Sequence, residues 1–138
     1  MVFGCNSKHS RSNVYRSDIT FEGTDIMYKV IFHVDEITKA SLALNNIRNL
    51  IADIGEQDLK VELLTNSEGI KMLLKAEKQY EPPLLELRSK KVTFAVCSNA
   101  MKALGITEDL LHSFAEVVPS GVGELVKRQS EGYAYIKP

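Results

Sequence analysis

From residue 27 onward, the chain alternates short apolar runs with stretches in which apolar residues recur every three or four positions. The mostly apolar run Tyr28–Val34 is typical of a strand buried in a parallel sheet. The apolar spacing from Ala40 to Ile54, with Gly55 as the stop, predicts a long amphipathic helix. Further strands are predicted at Leu59–Thr65, Val92–Val96, Ala115–Val118 and Tyr133–Ile136, and further helical segments at Ser67–Leu74, Leu84–Leu87, Ala100–Leu104, Glu108–Phe114 and Val122–Gln129.

This alternation indicates a mainly parallel sheet, because parallel neighbours need a crossover connection between them. We therefore expect an α/β protein with a flavodoxin-like three-layer sandwich of about five strands, in the order 2-1-3-4-5. In that order, strands one and three flank the point where ligands bind, outside the carboxyl ends of the strands. His33 and Cys97 belong to the ends of these two strands, so the sequence predicts an imidazole and a thiol in one crevice.

Length, charge and cysteine content narrow the class of protein. A chain of 138 residues suits one domain, and a net charge of -1 argues against direct nucleic-acid binding. The two cysteines form no CxxC or Cys/His motif, so we expect neither a disulfide framework nor a metal site. No apolar run approaches the roughly 18 residues that a membrane span needs. We expect a cytoplasmic protein that contacts no membrane.

Residues 1–26 differ from the rest, because the polar stretch Asn6–Asn13 has no helical or strand period. We interpret residues 1–26 as an N-terminal extension, either a disordered tail or the result of a start assigned upstream of Met27, and residues 27–138 as the domain. A short ordered extension that packs as an edge strand is the alternative, carried by the weakly alternating residues Val14, Tyr15, Ile19 and Phe21. Cys5 lies in this extension, which leaves Cys97 as the thiol with a chemical role.

Cys97 stands where a strand run changes into the polar helix start Ser98-Asn99. At a helix N-terminus, backbone N–H groups and the helix dipole favour the thiolate, which is the nucleophilic form. His33 could hold or remove the thiol proton, and backbone N–H groups could bind a charged sulfur or an anionic substrate. Those groups are the N–H groups of Ser98, Asn99, Gly121, Val122 and Gly123. The plain alternative is that Cys97 is a small buried hydrophobic residue.

Three segments resemble the DsrE/DsrF-like family, most closely its stand-alone branch. They are the first strand and helix with Val30–Glu36 and Asn45–Leu50, the Cys97 segment Phe94–Met101, and the ending with Val118–Gln129 and Glu131–Pro138. The resemblance covers residues 27–138. It implies flavodoxin-like subunits that form trimers or hexamers, and characterised members accept and pass persulfide sulfur. Their sulfur-carrying cysteine follows the third strand, and Cys97 occupies that position.

We therefore predict an intracellular persulfide carrier or sulfurtransferase-like protein that uses Cys97. The residues do not distinguish a carrier from an enzyme that turns over. The alternative is a small-molecule-binding protein or an oligomeric scaffold or regulatory subunit without catalysis of its own. We expect no cofactor, because the carboxylates of Asp35 and Glu36 would repel a flavin phosphate. Expected partners are further copies of the chain and a protein that donates or accepts sulfur.

Overall fold

A computed structural model describes residues 26–138, in which a five-stranded parallel sheet carries helices on both faces. The predicted α/β class and flavodoxin-like architecture are confirmed. The predictions for the extension concern residues 1–26, of which all but the last, Cys5 included, lie outside the described part. The strands are β1 (Tyr28–Val34), β2 (Leu59–Thr65), β3 (Thr93–Cys97), β4 (Ala115–Val118) and β5 (Ala134–Ile136); the α-helices are α1 (Ala40–Ile54), α2 (Glu81–Ser89), α3 (Ser98–Leu104) and α4 (Gly121–Ser130).

The strand order is β4-β3-β2-β1-β5, which differs from the predicted order 2-1-3-4-5 within the same class of fold. The chain steps from β1 through β2 and β3 to β4, and only its last connection returns, to place β5 on the free side of β1. Hydrophobic periodicity identifies strands but does not encode their neighbours, because the same crossover can reach an adjacent position or skip one. As a consequence, the order reverses between β1 and β5, and β2 separates β1 from β3.

The first face of the sheet carries the larger core. The connections that step from β1 to β4 put α1, α2 and α3 together, since right-handed crossovers in one direction lie on one face. Side chains from β1 to β3 meet these helices: Val30, Phe32, Val34, Val61, Leu63, Phe94 and Val96 pack with Ala40, Ala43, Leu44, Ile47, Ile51, Leu84, Leu87 and Met101. This face is a continuous apolar layer.

The second face is covered by α4, which lies in the connection that returns to β5. Its core is small and consists of Ile31, Leu64, Ala95 and Tyr133, with Val118 and Leu125 packed against it. Two buried polar residues, His33 and Glu62, lie on the same face, because each is two positions along its strand from Ile31 or Leu64. The outward side of α4 exposes Val122 and Val126 by 66% and 67%.

The connection after β2 packs closely against the end of β1. This connection is a 3₁₀ helix, Ser67–Leu73, which packs against the carboxyl end of β1. A Cβ atom at Gly69 would lie 2.1 Å from the carbonyl oxygen of Val34, closer than any real contact, so only glycine fits there. The backbone N–H of Asn66, just before this helix, donates to the same oxygen at 3.1 Å. The segment after β2 is therefore held against β1.

Candidate functional site

Cys97 ends β3 and lies opposite Val118 of β4. Its backbone leaves the strand conformation and its Sγ accepts the N–H of Ala100 at 3.4 Å, so the sulfur caps α3. The residue is 6% exposed, and the next two, Ser98 and Asn99, are half-buried and exposed. The thiol therefore lies just under the surface at the carboxyl edge of the sheet, with one backbone N–H directed at the sulfur.

His33 lies near the end of β1, where both of its ring nitrogens are hydrogen-bonded. Nδ1 lies 2.8 Å from the Tyr135 hydroxyl and Nε2 lies 2.9 Å from Oδ1 of Asn66. A carboxamide oxygen only accepts, so Nε2 carries a proton, and in this Nε2–H tautomer Nδ1 accepts the Tyr135 O–H. The imidazole thus sits in the middle of a Tyr–His–Asn chain.

The expectation that His33 and Cys97 share one crevice depended on neighbouring strands, and β1 and β3 are not neighbours. Because β2 lies between β1 and β3, these two strands are separated by two strand spacings of about 4.8 Å each, about 10 Å in all. The structure instead brings His33 to Tyr135 and Asn66. Both contacts use the nitrogens that a direct exchange with the thiol would need.

Asn66 is the residue of this edge that the sequence interpretation missed. It follows β2 directly, is half-buried and accepts from His33 through Oδ1. The last pair between β2 and β3 is Thr65 with Val96. Asn66 and Cys97 therefore occupy corresponding positions, each one residue beyond this pair. The one available signal was its place, because polar residues just after parallel strands gather at the ligand-binding edge.

The N-terminus of α4 completes this edge. Ser120 caps the helix, and its Oγ accepts the Gly123 N–H at 3.0 Å, so that N–H is already satisfied. Gly121 is buried, and a Cβ there would lie 3.0 Å from Cβ and 3.2 Å from Nδ2 of Asn66. Glycine therefore lets the helix end approach the Asn66 side chain. Val122, which was expected to bind substrate through its N–H, points its side chain into solvent.

A polar cluster under α4 anchors this helix to the sheet. Arg128 Nε donates to Glu62 Oε1 at 2.7 Å and to Glu124 Oε2 at 3.0 Å, and Nη1 donates to Glu131 at 3.0 Å. Glu62 belongs to β2 and is only 3% exposed, and its Oε2 is buried and receives no N–H donor from residues 26–138. One guanidinium thus joins three carboxyl groups, that of Glu62 on the sheet and those of Glu124 and Glu131 in and just after α4.

The pKa of Glu62 is raised to about 8, first by burial and then by the neighbouring Glu124, whose effect outweighs the lowering by Arg128. The hydrogen bond from Glu62 in turn lowers the pKa of Glu124. Two carboxyl groups in one buried place cannot both ionise at neutral pH without a large electrostatic cost. Glu62 is therefore the protonated member, and Glu124 carries the charge beside Arg128.

Sequence comparison places this geometry in a known family. A model of the DsrE/DsrF-like family matches residues 27–138, nearly all of the chain that the structure describes. The chain belongs to the DsrE/DsrF-like family. Among solved structures, this DsrE-like chain is similar to MTH1491 from Methanobacterium thermoautotrophicum, a protein of unknown function. The two are 39% identical with a TM-score of 0.75, over 80% of this chain and 99% of that one.

The DsrE-like chain also resembles the YchN protein from E. coli. Here the identity is 16% and the TM-score 0.70, over 81% of this chain and 100% of YchN, a likeness that shows the fold alone. A search of curated proteins finds no significant match. Within residues 26–138, no helix is long and apolar enough to cross a membrane, and no three His, Cys, Asp or Glu side chains gather as metal ligands.

Proposed function

We propose that this DsrE-like protein carries sulfur as a persulfide on Cys97. The observation that carries the proposal is the place of the sulfur: at the carboxyl end of β3, capping α3, with the Ala100 N–H donated to Sγ. Cys97 is also the only cysteine within residues 26–138, and it forms no disulfide there. Persulfide transfer by characterised family members supports the assignment, since their working cysteine follows the third strand.

The chemistry needs only thiol–persulfide exchange. The Cys97 thiolate attacks the outer sulfur of a donor persulfide R–S–SH, a new S–S bond forms at Sγ, and the donor's S–S bond breaks to release R–S⁻. An acceptor thiolate then attacks the outer sulfur of Cys97–S–SH and restores the Cys97 thiolate. Each step conserves charge and needs no external oxidant. Such exchange at a single free thiol suits a reducing compartment, so the proposal includes a cytoplasmic location.

Cys97 lies just beneath the surface, so a donor persulfide must reach its thiol through the carboxyl edge. At 6% exposure, the sulfur is shielded from adventitious oxidants, whereas a persulfide extends the side chain by one S–S bond of about 2.05 Å. The outer sulfur therefore reaches further toward the edge where Ser98, Asn99 and the turn Gly121–Gly123 lie. We assign substrate contacts to this rim, with the exception of the Gly123 N–H, which Ser120 already holds.

Intact-protein mass spectrometry tests the proposal. After incubation with a low-molecular-weight persulfide and removal of excess donor, Cys97 is expected to gain about 32 Da, the mass of one sulfur atom. Cys97→Ser should gain nothing, and Cys5→Ser, the matched control, should behave like the natural chain. Retention of sulfur by Cys97→Ser, or failure of the natural chain to take up sulfur, would refute the carrier role.

A scaffold role through self-association is a second candidate, favoured by the outward side of α4. Val122 and Val126 form an exposed apolar pair one helical turn apart, on the thinly covered face of the sheet. We propose that this pair contributes to a trimer or hexamer. Light scattering should show that Val126→Lys lowers the mass, whereas Leu42→Lys, at an exposed leucine on α1, leaves it unchanged. A monomeric natural chain would exclude this role.

A further inference from the structure

A directed chain of hydrogen bonds crosses three neighbouring strands at the carboxyl edge. Tyr135 of β5 donates to His33 of β1, and His33 Nε2–H donates to the oxygen of Asn66, which follows β2. With its oxygen held by His33, the Asn66 carboxamide must direct its Nδ2 hydrogens the other way. Nδ2 faces Gly121 and makes no hydrogen bond with the residues that the structure describes.

The orientation of this amide directs an unused donor across the end of β3, because Nδ2 faces Gly121, which follows β4 on the other side of β3. Asn66 and Cys97 occupy matching positions just beyond the last β2–β3 pair, and neighbouring strands lie about 4.8 Å apart. The Cys97 side chain turns toward α3, where its Sγ accepts the Ala100 N–H and it packs with the apolar cluster of the first face. An outer sulfur that points away from this cluster would extend into the region between Asn66 and the N-terminus of α4.

We propose that Asn66 binds the anionic sulfur at this edge, through its Nδ2 hydrogens, and that His33 is a positioning residue that holds this amide. The substrate class is an anionic persulfide, either bound to Cys97 or approaching it, so the inference rests on the proposed function. His33 acts through Asn66 and does not take the thiol proton. Tyr135 fixes the ring from the other side.

Substitution of the Asn66 amide tests directly whether its Nδ2 hydrogens bind an anion. Asn66→Asp keeps the size and the acceptor oxygen but replaces the donor with a negative oxygen, which repels anionic sulfur. A hydrogen bond to a charged group is worth enough to change a rate or affinity by about 10- to 100-fold. Asn66→Ala removes the donor without adding the repulsion and should show a smaller loss.

The experiment compares the rates at which Cys97 of the full chain reacts with uncharged iodoacetamide, anionic iodoacetate and anionic glutathione persulfide. In Asn66→Asp, the ratio of the iodoacetate rate to the iodoacetamide rate should fall about 10-fold or more, and persulfide uptake should slow in parallel. The iodoacetamide rate should stay within about 3-fold, because the Ala100 N–H still reaches the sulfur. An unchanged ratio in Asn66→Asp overturns the proposal.

The role of His33 has its own pair of variants. His33→Gln offers a side-chain N–H that can still reach Asn66, so the ratio should be largely restored relative to His33→Ala. Equal ratios in His33→Ala and the natural chain would overturn the positioning role. Should Asn66→Ala fail to fold, as judged by circular dichroism, Asn66→Ser replaces it and must also lower the ratio.

Failure of the proposed function is distinguishable from failure of this inference. If the natural chain forms no persulfide, the carrier proposal is lost, but the alkylation ratio still decides whether Asn66 contacts an anion beside Cys97. If persulfide forms normally in every Asn66 and His33 variant and the ratio does not move, the carrier role stands and the assignment to Asn66 falls.

Discussion

The two faces of the sheet are built on different principles. The face under α1, α2 and α3 is a continuous apolar layer, in which residues such as Phe32, Leu63 and Phe94 are almost fully buried. The face under α4 has a small apolar core and buries His33 and Glu62 among it. Apolar burial stabilises without requiring a partner, whereas each buried polar group must be hydrogen-bonded or neutral.

The difference separates stability from chemistry. The first face supplies most of the buried apolar area and fixes the strands. The second face joins the carboxyl-edge residues His33, Asn66 and Tyr135 to α4, whose own attachment depends on the Glu62–Arg128 cluster. We therefore expect substitutions on the first face to affect folding most, and those on the second face to affect α4 and the edge with smaller stability effects.

The largest effect is expected for Phe94→Ala on the first face. Phe94 is 1% exposed and its ring centroid lies 5.5 Å from that of Phe114, so truncation should lower the free energy of unfolding by about 3–5 kcal/mol. Leu125→Ala, at a half-buried position under α4, should cost about half of that. Urea unfolding measures both, and equal losses would contradict the comparison of the faces.

The next effect is expected for Arg128→Met, which removes the guanidinium that links α4 to β2. Because it leaves Glu62 and Glu124 together with no cation, we expect a loss of about 2 kcal/mol, below the values for fully buried pairs because Arg128 is partly exposed. Arg48→Met is the matched control: both members of its pair with Glu86 are more exposed, so the loss should be much smaller than for Arg128→Met. Similar losses would show that the cluster does not anchor α4.

The pH dependence of stability should come from Glu62. Burial, aided by Glu124, raises its folded-state pKa to about 8 from the ordinary value of 4.5. Between these values the folded chain keeps a proton that the unfolded chain has released, so the free energy of unfolding falls as pH rises, by roughly 1 kcal/mol per pH unit at most. The protonated form stabilises fully below pH 4.5, and the benefit is lost by about pH 8.

Glu62→Gln should remove that slope, because the amide is neutral in both states. Thermal unfolding between pH 5 and pH 9 would show a flatter profile than the natural chain and a higher relative stability above pH 8. Glu116 is an exposed residue of β4 on the same face of the sheet as Glu62, and Glu116→Gln should retain the slope. A slope that survives Glu62→Gln would assign the proton to another group.

The smallest effect is expected for Tyr135→Phe. It removes only the hydroxyl that donates to His33, and because Tyr135 is 40% exposed, the cost should be about 0.5 kcal/mol. The sharper readout is the ¹⁵N chemical shift of the His33 ring, which should change at Nδ1 while Nε2 stays protonated. Tyr28→Phe, also exposed, should leave both nitrogens unchanged. An unchanged ¹⁵N chemical shift at Nδ1 in Tyr135→Phe would contradict the hydrogen bond between Tyr135 and His33.

Local pattern predicted local structure well. The bounds of β1, β2 and β4 agree with the apolar runs, and Gly55, at φ 95°, ends α1 as expected. Cys97 was placed at the end of β3 because a strand run and a helix start meet there, and both are encoded within a few residues. These features depend on near neighbours in sequence, which periodicity and capping rules describe.

Long-range features were not predictable in the same way. The position of β2 between β1 and β3 depends on how whole strand–helix units pack, and it determined that His33 meets Asn66 and not Cys97. Glu62 is a polar residue within the strand run Leu59–Thr65, and only the return of α4 over it explains its burial. Residues at such sites are defined by partners far along the chain, which a single sequence does not reveal.

The pairing of β5 with β1 has a consequence for biosynthesis. Val30 and Ala134 are register partners, so the last of the five strands to be synthesised completes the sheet beside the first. The β1–β4 layer with its helices can assemble before β5 is made, but Tyr135 reaches His33 only after β5 has emerged from the ribosome. A nascent or prematurely terminated product would hold Cys97 in a folded layer before the polar edge beside it exists.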